Sequence, residues 1–188
     1  MPGSSEIVGE RELVSRAARG DAASVKAIYD AQVQYLAAVC RRYISDEDDV
    51  KDVLQDSFVR IFNSLRKFQW RGEGSLRAWM KRIVVNESLM SLRLHSAFPT
   101  TPLPDNALEG VADEAPGIDG VPMQVIQRMI RSLPVGYRTV FNLYAIEGHS
   151  HKEISSLLGI SENTSFSQYS RARARLAELI REYRKNGE

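Results

Sequence analysis

HSHKEISSLLGISENTSFSQYSRARARL, residues His149 to Leu176, has the punctuation of two helices meeting at a tight turn. Ser150 followed by Glu153 is a capping box: the hydroxyl takes one orphan backbone N–H and the carboxylate returns to another, so a helix starts there. Ile154, Leu157 and Leu158 form its apolar stripe, and Gly159 follows where a left-handed conformation stops a helix without a Cβ penalty. Ile160 plugs the corner and Ser161 caps a second helix. That helix carries Ser, Asn, Thr and Gln at its start and Arg171, Arg173 and Arg175 further along. Polar tips for base edges followed by guanidinium groups for phosphates is the mixture a major-groove reader needs. On spacing alone, a helical hairpin on the surface of an ordinary α-helical domain is the competing reading.

The chain has 188 residues and 43% hydrophobic content, enough for one or two small cores and too much for a lone helix-turn-helix module. A net charge of +1 conceals a polarity: the balance is +2 over residues 1–95, −5 over 96–122 and +4 over 123–188. The basic end is the one with the helix-turn-helix pattern, as a phosphate-binding surface requires. The single cysteine, Cys40, excludes an internal disulfide and reads as a small apolar residue on a helix. No apolar run reaches bilayer-spanning length, and the polar N-terminus MPGSSEIVGERE has no signal-peptide core, so a cytoplasmic protein without membrane insertion is expected.

Catalysis finds little support. There is no Gly-rich phosphate loop before a helix and no Cys/His metal spacing; the histidines are His95, His149 and His151. His149 and His151 lie two apart, so they do not share a helical face on which to hold a metal beside Glu153. No catalytic residue, metal or cofactor is expected, and the chain is not read as an enzyme.

Glu10 to Arg42 is helical in pattern with a break at Gly20-Asp21: Leu13, Val14 and Ala17 mark one helix, and Val25, Ile28, Tyr29, Leu36, Val39 and Tyr43 a second. Ser45 or Asp46 caps a third, with an apolar face of Val50, Val53, Leu54, Phe58, Ile61, Phe62 and Leu65. Acidic residues crowd its other side, and the helix dipole accounts only for those in the first turn. Asp52, Gln55 and Asp56 at i, i+3 and i+4 share one ridge, either a solvated acidic face or a dock for a basic partner. Phe68-Gln-Trp-Arg-Gly-Glu-Gly-Ser75 is an aromatic, glycine-containing loop leading into a helix to about Leu94, with Leu76, Trp79, Met80, Ile83, Met90 and Leu94 expected inward. Such a loop, feeding a helix with Arg82, Asn86 and Arg93 on another side, suits stacking and hydrogen bonding to unpaired bases.

Residues 96–122 contain five prolines, three glycines, five acids and no Lys or Arg, the composition of an extended linker. Beyond it, Val125, Ile126, Met129, Ile130 and Leu133 stripe one helix, Pro134 opens another built on Tyr137, Val140, Phe141, Leu143, Tyr144 and Ile146, and Gly148 ends it. No strand pair with hairpin chemistry is found. The expected fold is all-α: a helical domain over 1–95, a flexible acidic Pro-rich linker over 96–122, and a helix-turn-helix domain over 123–188.

The order of these pieces, over residues 10 to 182, resembles the extracytoplasmic-function (ECF) group of bacterial RNA polymerase sigma factors, within the primary sigma family. DVKDVLQDSFVRIF (Asp49 to Phe62) is similar to the segment that grips a coiled coil of the polymerase largest subunit. FQWRGEGSLRAWMKRIVVNESLMSLR (Phe68 to Arg93) is similar to the segment that opens and reads the proximal promoter element. LPVGYRTVFNLYAIEGHSHKEISSLLGISENTSFSQYSRARARL (Leu133 to Leu176) resembles the domain that reads the distal element.

The resemblance implies roles by residue. Asp49, Asp52, Gln55 and Asp56 would contact core polymerase. Arg71, Gly72, Glu73, Gly74 and Ser75, with Lys81, Arg82 and Asn86, would hold the melted strand and a flipped base. Arg138 and Lys152 would meet phosphates of the distal element, Glu162, Asn163, Ser165, Phe166, Ser167 and Arg171 its bases, and Arg173 its backbone. The linker would thread channels later used by RNA, and an anti-sigma protein would hold the chain inactive. Ser165 and Phe166 depart from the family pattern, which often has an apolar and then a basic residue there, and Ser155 replaces a more usual Ala. An exposed Phe could pack on a thymine methyl, or a shifted helix could bury it. The rival from another class is a free-standing helix-turn-helix regulator acting as a dimer on operator DNA; a third reading, a protein-interaction adaptor, sits poorly with the clustered arginines.

Overall fold

The computed structural model describes residues 9–94 and 117–186, all of them helix, turn or connecting loop, with no strand among the described residues. They divide into two compact units, with the boundary between Ser88 and Leu89.

The first unit begins with α1 (Glu10–Ala18) and α2 (Ala22–Cys40), which pack on each other. Gly20, at φ 92°, makes the break between them, and the Asp21 carboxylate caps α2 by accepting the Ser24 N–H at 3.0 Å. The Ser24 hydroxyl donates to that carboxylate too, and these bonds hold Asp21 below the usual carboxylate range. The second helix ends before Tyr43, which is nonetheless fully buried. Of the two candidate caps for α3 (Glu47–Ser64), Asp46 takes the role: its Oδ1 accepts the N–H groups of Asp48 and Asp49 at 2.9 and 3.2 Å. The α3 core face is Val50, Val53, Ser57, Phe58 and Ile61, and a 3-10 turn, Leu65–Lys67, leads out.

The helix α4 (Ser75–Leu94) corrects the expected inward face. Leu76, Met80, Val84, Ser88 and Leu92 are buried, a strict i+4 row, whereas Met90 and Leu94 are 44% and 75% exposed. Two polar side chains are admitted to the buried side because each is satisfied. Glu87 pairs with Arg60 of α3 at 3.0 Å, and the Ser88 hydroxyl donates to the Val84 carbonyl at 2.8 Å. Arg77 ties α4 to α2, its Nε donating to Gln32 at 3.1 Å and its guanidinium lying 4.7 Å from the Tyr35 ring centre.

In the second unit, α5 (Met123–Ser132), α6 (Val135–Phe141) and α8 (Glu162–Asn186) pack around a core of Val121, Met129, Leu133, Ala172, Leu176 and Ile180, and α7 (His151–Leu158) packs on α8 with Ile154 and Leu158 buried. Most of the expected linker lies outside the described residues. Its last six residues, 117–122, are not tether but part of this unit, because Val121 enters the core and Arg184 Nη2 donates to the carbonyls of Gly117 and Asp119 at 2.9 and 3.1 Å. Pro134 stands just before α6 as its cap. At Gly136 a Cβ would come within 3.1 Å of the Gln168 side-chain amide, so α6 meets α8 closely there.

After α6 the chain widens into one π-helical turn, Asn142–Ile146, closed by the Glu147 N–H on the Asn142 carbonyl at 2.9 Å. A five-residue repeat shifts every later side chain. Tyr144 and Ile146, expected in the core, are consequently 38% and 43% exposed. Among the described residues no helix is long and apolar enough to cross a membrane.

Candidate functional site

The helix-turn-helix stands on three local bonds. In the capping box the Glu153 N–H donates to Ser150 Oγ at 3.3 Å and the Ser150 N–H to Glu153 Oε2 at 2.8 Å, and this second bond lowers the Glu153 carboxyl pKa. Gly159 ends α7 in the left-handed region at φ 69°. Ser161 caps α8, accepting the Thr164 N–H at 3.0 Å.

Packing then fixes the rotation of α8. Ser165, Gln168, Ala172, Leu176 and Ile180 recur at three and four residues and are all buried. Glu162, Asn163 and Phe166 consequently face outward, while Ser167, Ser170, Arg171 and Arg173 are half-buried. Ser170 was not picked out from the sequence, although it lies four residues beyond Phe166 on the same face. Two expected contacts are corrected. Ser165 is 0% exposed and its hydroxyl lies 3.0 Å from His151 Nδ1, so it packs between helices and does not reach a base. Arg138 is 4% exposed and donates to the Arg131 carbonyl at 2.8 Å; burial, with Arg131 nearby, lowers its guanidinium pKa. It anchors the end of α5 instead of meeting phosphate. Lys152 is exposed at the first turn of α7, and Arg173 lies 6.0 Å from the Tyr169 ring centre.

Behind Phe166 stands an aromatic cluster. The His151 ring stacks on Tyr144 at 4.5 Å and 17°, and meets Phe166 edge-on at 5.6 Å and Tyr169 at 5.8 Å. Burial depresses the His151 pKa, with Glu162 acting weakly the other way. No linear pattern joins these residues, because the π turn brings Tyr144 to His151.

In the first unit, Gly72 and Gly74 take positive φ, 117° and 78°, letting the chain double back between Trp70 and α4. The loop is tied at both ends: Ser75 Oγ accepts the Arg71 N–H at 3.2 Å, and Glu10 Oε2 accepts both the Trp70 indole N–H and the Gly74 N–H at 3.2 Å. Beside it opens a cleft of about 370 Å³ lined by Lys67, Phe68, Arg71, Ser75, Trp79 and Arg82. Phe68 and Trp79 meet there at 5.0 Å and 43°, so Trp79 is both a packed residue and a wall of the cleft. Glu73 and Asn86 are exposed nearby and Lys81 is half-buried. On α3, Asp49, Asp52, Gln55 and Asp56 are all exposed, opposite the buried Val53, Ser57 and Phe58. Among the described residues no group of His, Cys, Asp and Glu is arranged to hold a metal ion.

An all-helical chain that couples a helix-turn-helix, its second helix turned outward with polar and aromatic side chains, to a cationic, aromatic-walled cleft is a DNA-reading transcription protein in class. Residues 28–97 match the family described as Sigma-70 region 2, and residues 123–176 that described as Sigma-70, region 4. The ECF RNA polymerase sigma factor SigM of Mycobacterium tuberculosis is 30% identical over 171 residues, covering 91% of this chain and 84% of the relative. The ECF RNA polymerase sigma-E factor of Escherichia coli is 27% identical over 181 residues, 90% of this chain and 93% of the relative. A solved structure of CnrH in complex with the cytosolic domain of CnrY aligns over 90% of this chain and 96% of that one at 27% identity, with a TM-score of 0.47. The chain belongs to the ECF group of RNA polymerase sigma factors, and its function is transcription initiation. The free-standing dimeric regulator is not favoured.

Proposed function

We propose that this chain gives core RNA polymerase its promoter choice through three surfaces. The α3 ridge of Asp49, Asp52, Gln55 and Asp56 docks on the coiled coil of the largest subunit. The loop Arg71 to Ser75, with Lys81, Arg82 and Asn86, takes a base out of the melted proximal element. Lys152, Glu162, Asn163, Phe166, Ser167, Arg171 and Arg173 read the distal element. One observation carries the proposal: the cleft beside the loop combines two aromatic walls, Phe68 and Trp79, with two guanidinium groups, Arg71 and Arg82. An aromatic wall beside cationic side chains suits an unpaired base and its phosphates. A repressor that reads only duplex DNA has no use for one. The polymerase supplies catalysis in this reading, so the chain itself is not an enzyme, and it works in the cytoplasm. The domains divide function as 1–95 and 123–188 joined by the acidic segment between them, and an anti-sigma protein completes the set of partners, as membership of the family implies.

The test is run-off transcription with purified core polymerase, with and without this chain, on pooled promoter fragments. A chain-dependent transcript is expected, together with its loss when Asp52→Lys and Asp56→Lys are combined. No chain-dependent transcript from any fragment, or full activity of the double variant, overturns the proposal. Tight operator binding by the chain alone, as a dimer, would favour the regulator instead.

A further inference from the structure

Phe166 is a large apolar side chain left 55% exposed on the outward face of α8, between Asn163 and Ser170. It is the most exposed large apolar side chain of α8, ahead of Tyr183 at 37%. Its orientation has a visible cause. Ser165 is drawn inward to His151 Nδ1 at 3.0 Å, and the next residue along a helix points about 100° away, which turns Phe166 out. The His151 ring is itself flanked, by Tyr144 stacked at 4.5 Å and by Tyr169 at 5.8 Å. Its edge then supports the Phe166 ring at 5.6 Å and 69°.

We infer that His151 is a positioning residue for base reading: held by Ser165 and Tyr144, it sets the Phe166 ring so that it packs on the C5-methyl of a thymine in the distal element. The chemistry selects the base. A phenyl ring offers no hydrogen bond, so against the polar edge of guanine, adenine or cytosine it would desolvate donors and acceptors without replacing their partners. The thymine methyl is the one apolar group that unmodified bases present in the major groove. His151 reads nothing itself; the cluster converts a flexible aromatic into a fixed one, and the contact becomes discriminating.

The inference rests on the proposed reading of the distal element by α8, and one experiment separates the two. Holoenzyme made from core polymerase and the full chain is bound to a promoter recovered from the run-off pool, and each thymine of the distal element is replaced in turn by deoxyuridine, which lacks only the methyl. At one or two positions the wild type should bind the thymine form about three- to tenfold better, the scale of one buried methyl. Phe166→Ala should bring that ratio to about one, and so should His151→Ala, while His151→Phe, which keeps a ring, restores part of it. The ratio compares two DNAs with one protein sample, so partial misfolding of a variant does not move it. Loss of all dependence on the distal element would overturn the reading on which the inference rests. Wild-type dependence on that element without a uracil effect, or an unchanged ratio in His151→Ala, overturns the inference alone.

Discussion

At Gly159 the backbone sits at φ 69°, and a Cβ there would meet nothing within 4 Å. The cost of Gly159→Ala is thus that of the left-handed conformation alone, about 1–2 kcal/mol. If the second unit unfolds as one transition, its Tm should fall by about 4–8 °C per kcal/mol, read by calorimetry. His151 gives a pH prediction with a definite sign. Burial holds its pKa below the ordinary 6.5, so the unfolded chain binds a proton that the folded unit resists. The stability tied to this difference is present above pH 6.5, is lost as pH falls from there through the depressed folded value, and levels off below it. Among its neighbours, Glu162 opposes the shift, and the Tyr169 hydroxyl has its own pKa raised by burial, away from this range. Glu153, lowered by its capping bonds, acts in a separate and more acidic window. His151→Phe should flatten the slope below pH 6.5 in thermal melts, and an unchanged slope would refute the assignment.

At the level of elements, α4 and its loop separate packing from DNA contact. Arg82 is exposed at the cleft, so Arg82→Ala should leave the unfolding free energy within about 0.5 kcal/mol of the wild type. It should still lower open-complex formation by about tenfold, the scale of one lost charge-assisted contact, as measured by permanganate reactivity of unpaired thymines. Trp79→Ala should fail on both counts, because Trp79 also packs against Phe68. The two variants together tell whether the cleft holds a base or only supports the fold. The helix-turn-helix element behaves similarly. Its caps were legible because Ser150, Glu153, Gly159 and Ser161 act on backbone groups within four residues of themselves. The roles of Ser165 and Arg138 were not, since both depend on partners fourteen and seven residues away on other elements.

For the whole molecule, charge is distributed by function: the excess of +4 lies over residues 123–188, where duplex DNA would be met. If Lys152 touches a phosphate, Lys152→Gln should weaken holoenzyme binding to every promoter alike and reduce the slope of log affinity against log salt by about one. An unchanged slope would place Lys152 off the DNA. The sequence by itself determined the helical class, the helix ends, the acidic ridge of α3 and the order of motifs that marks the family. These follow from local hydrogen bonding, from 3.6-residue periodicity and from charge, none of which needs a distant partner. Only the tertiary structure decided which face of α4 is buried, that residues 117–122 belong to the second unit, that the π turn carries Tyr144 to His151, and that Ser165 turns in while Phe166 turns out. Each of those is settled by side chains packing across elements far apart in the chain, where the winner is the arrangement that buries apolar surface and leaves the buried polar groups bonded.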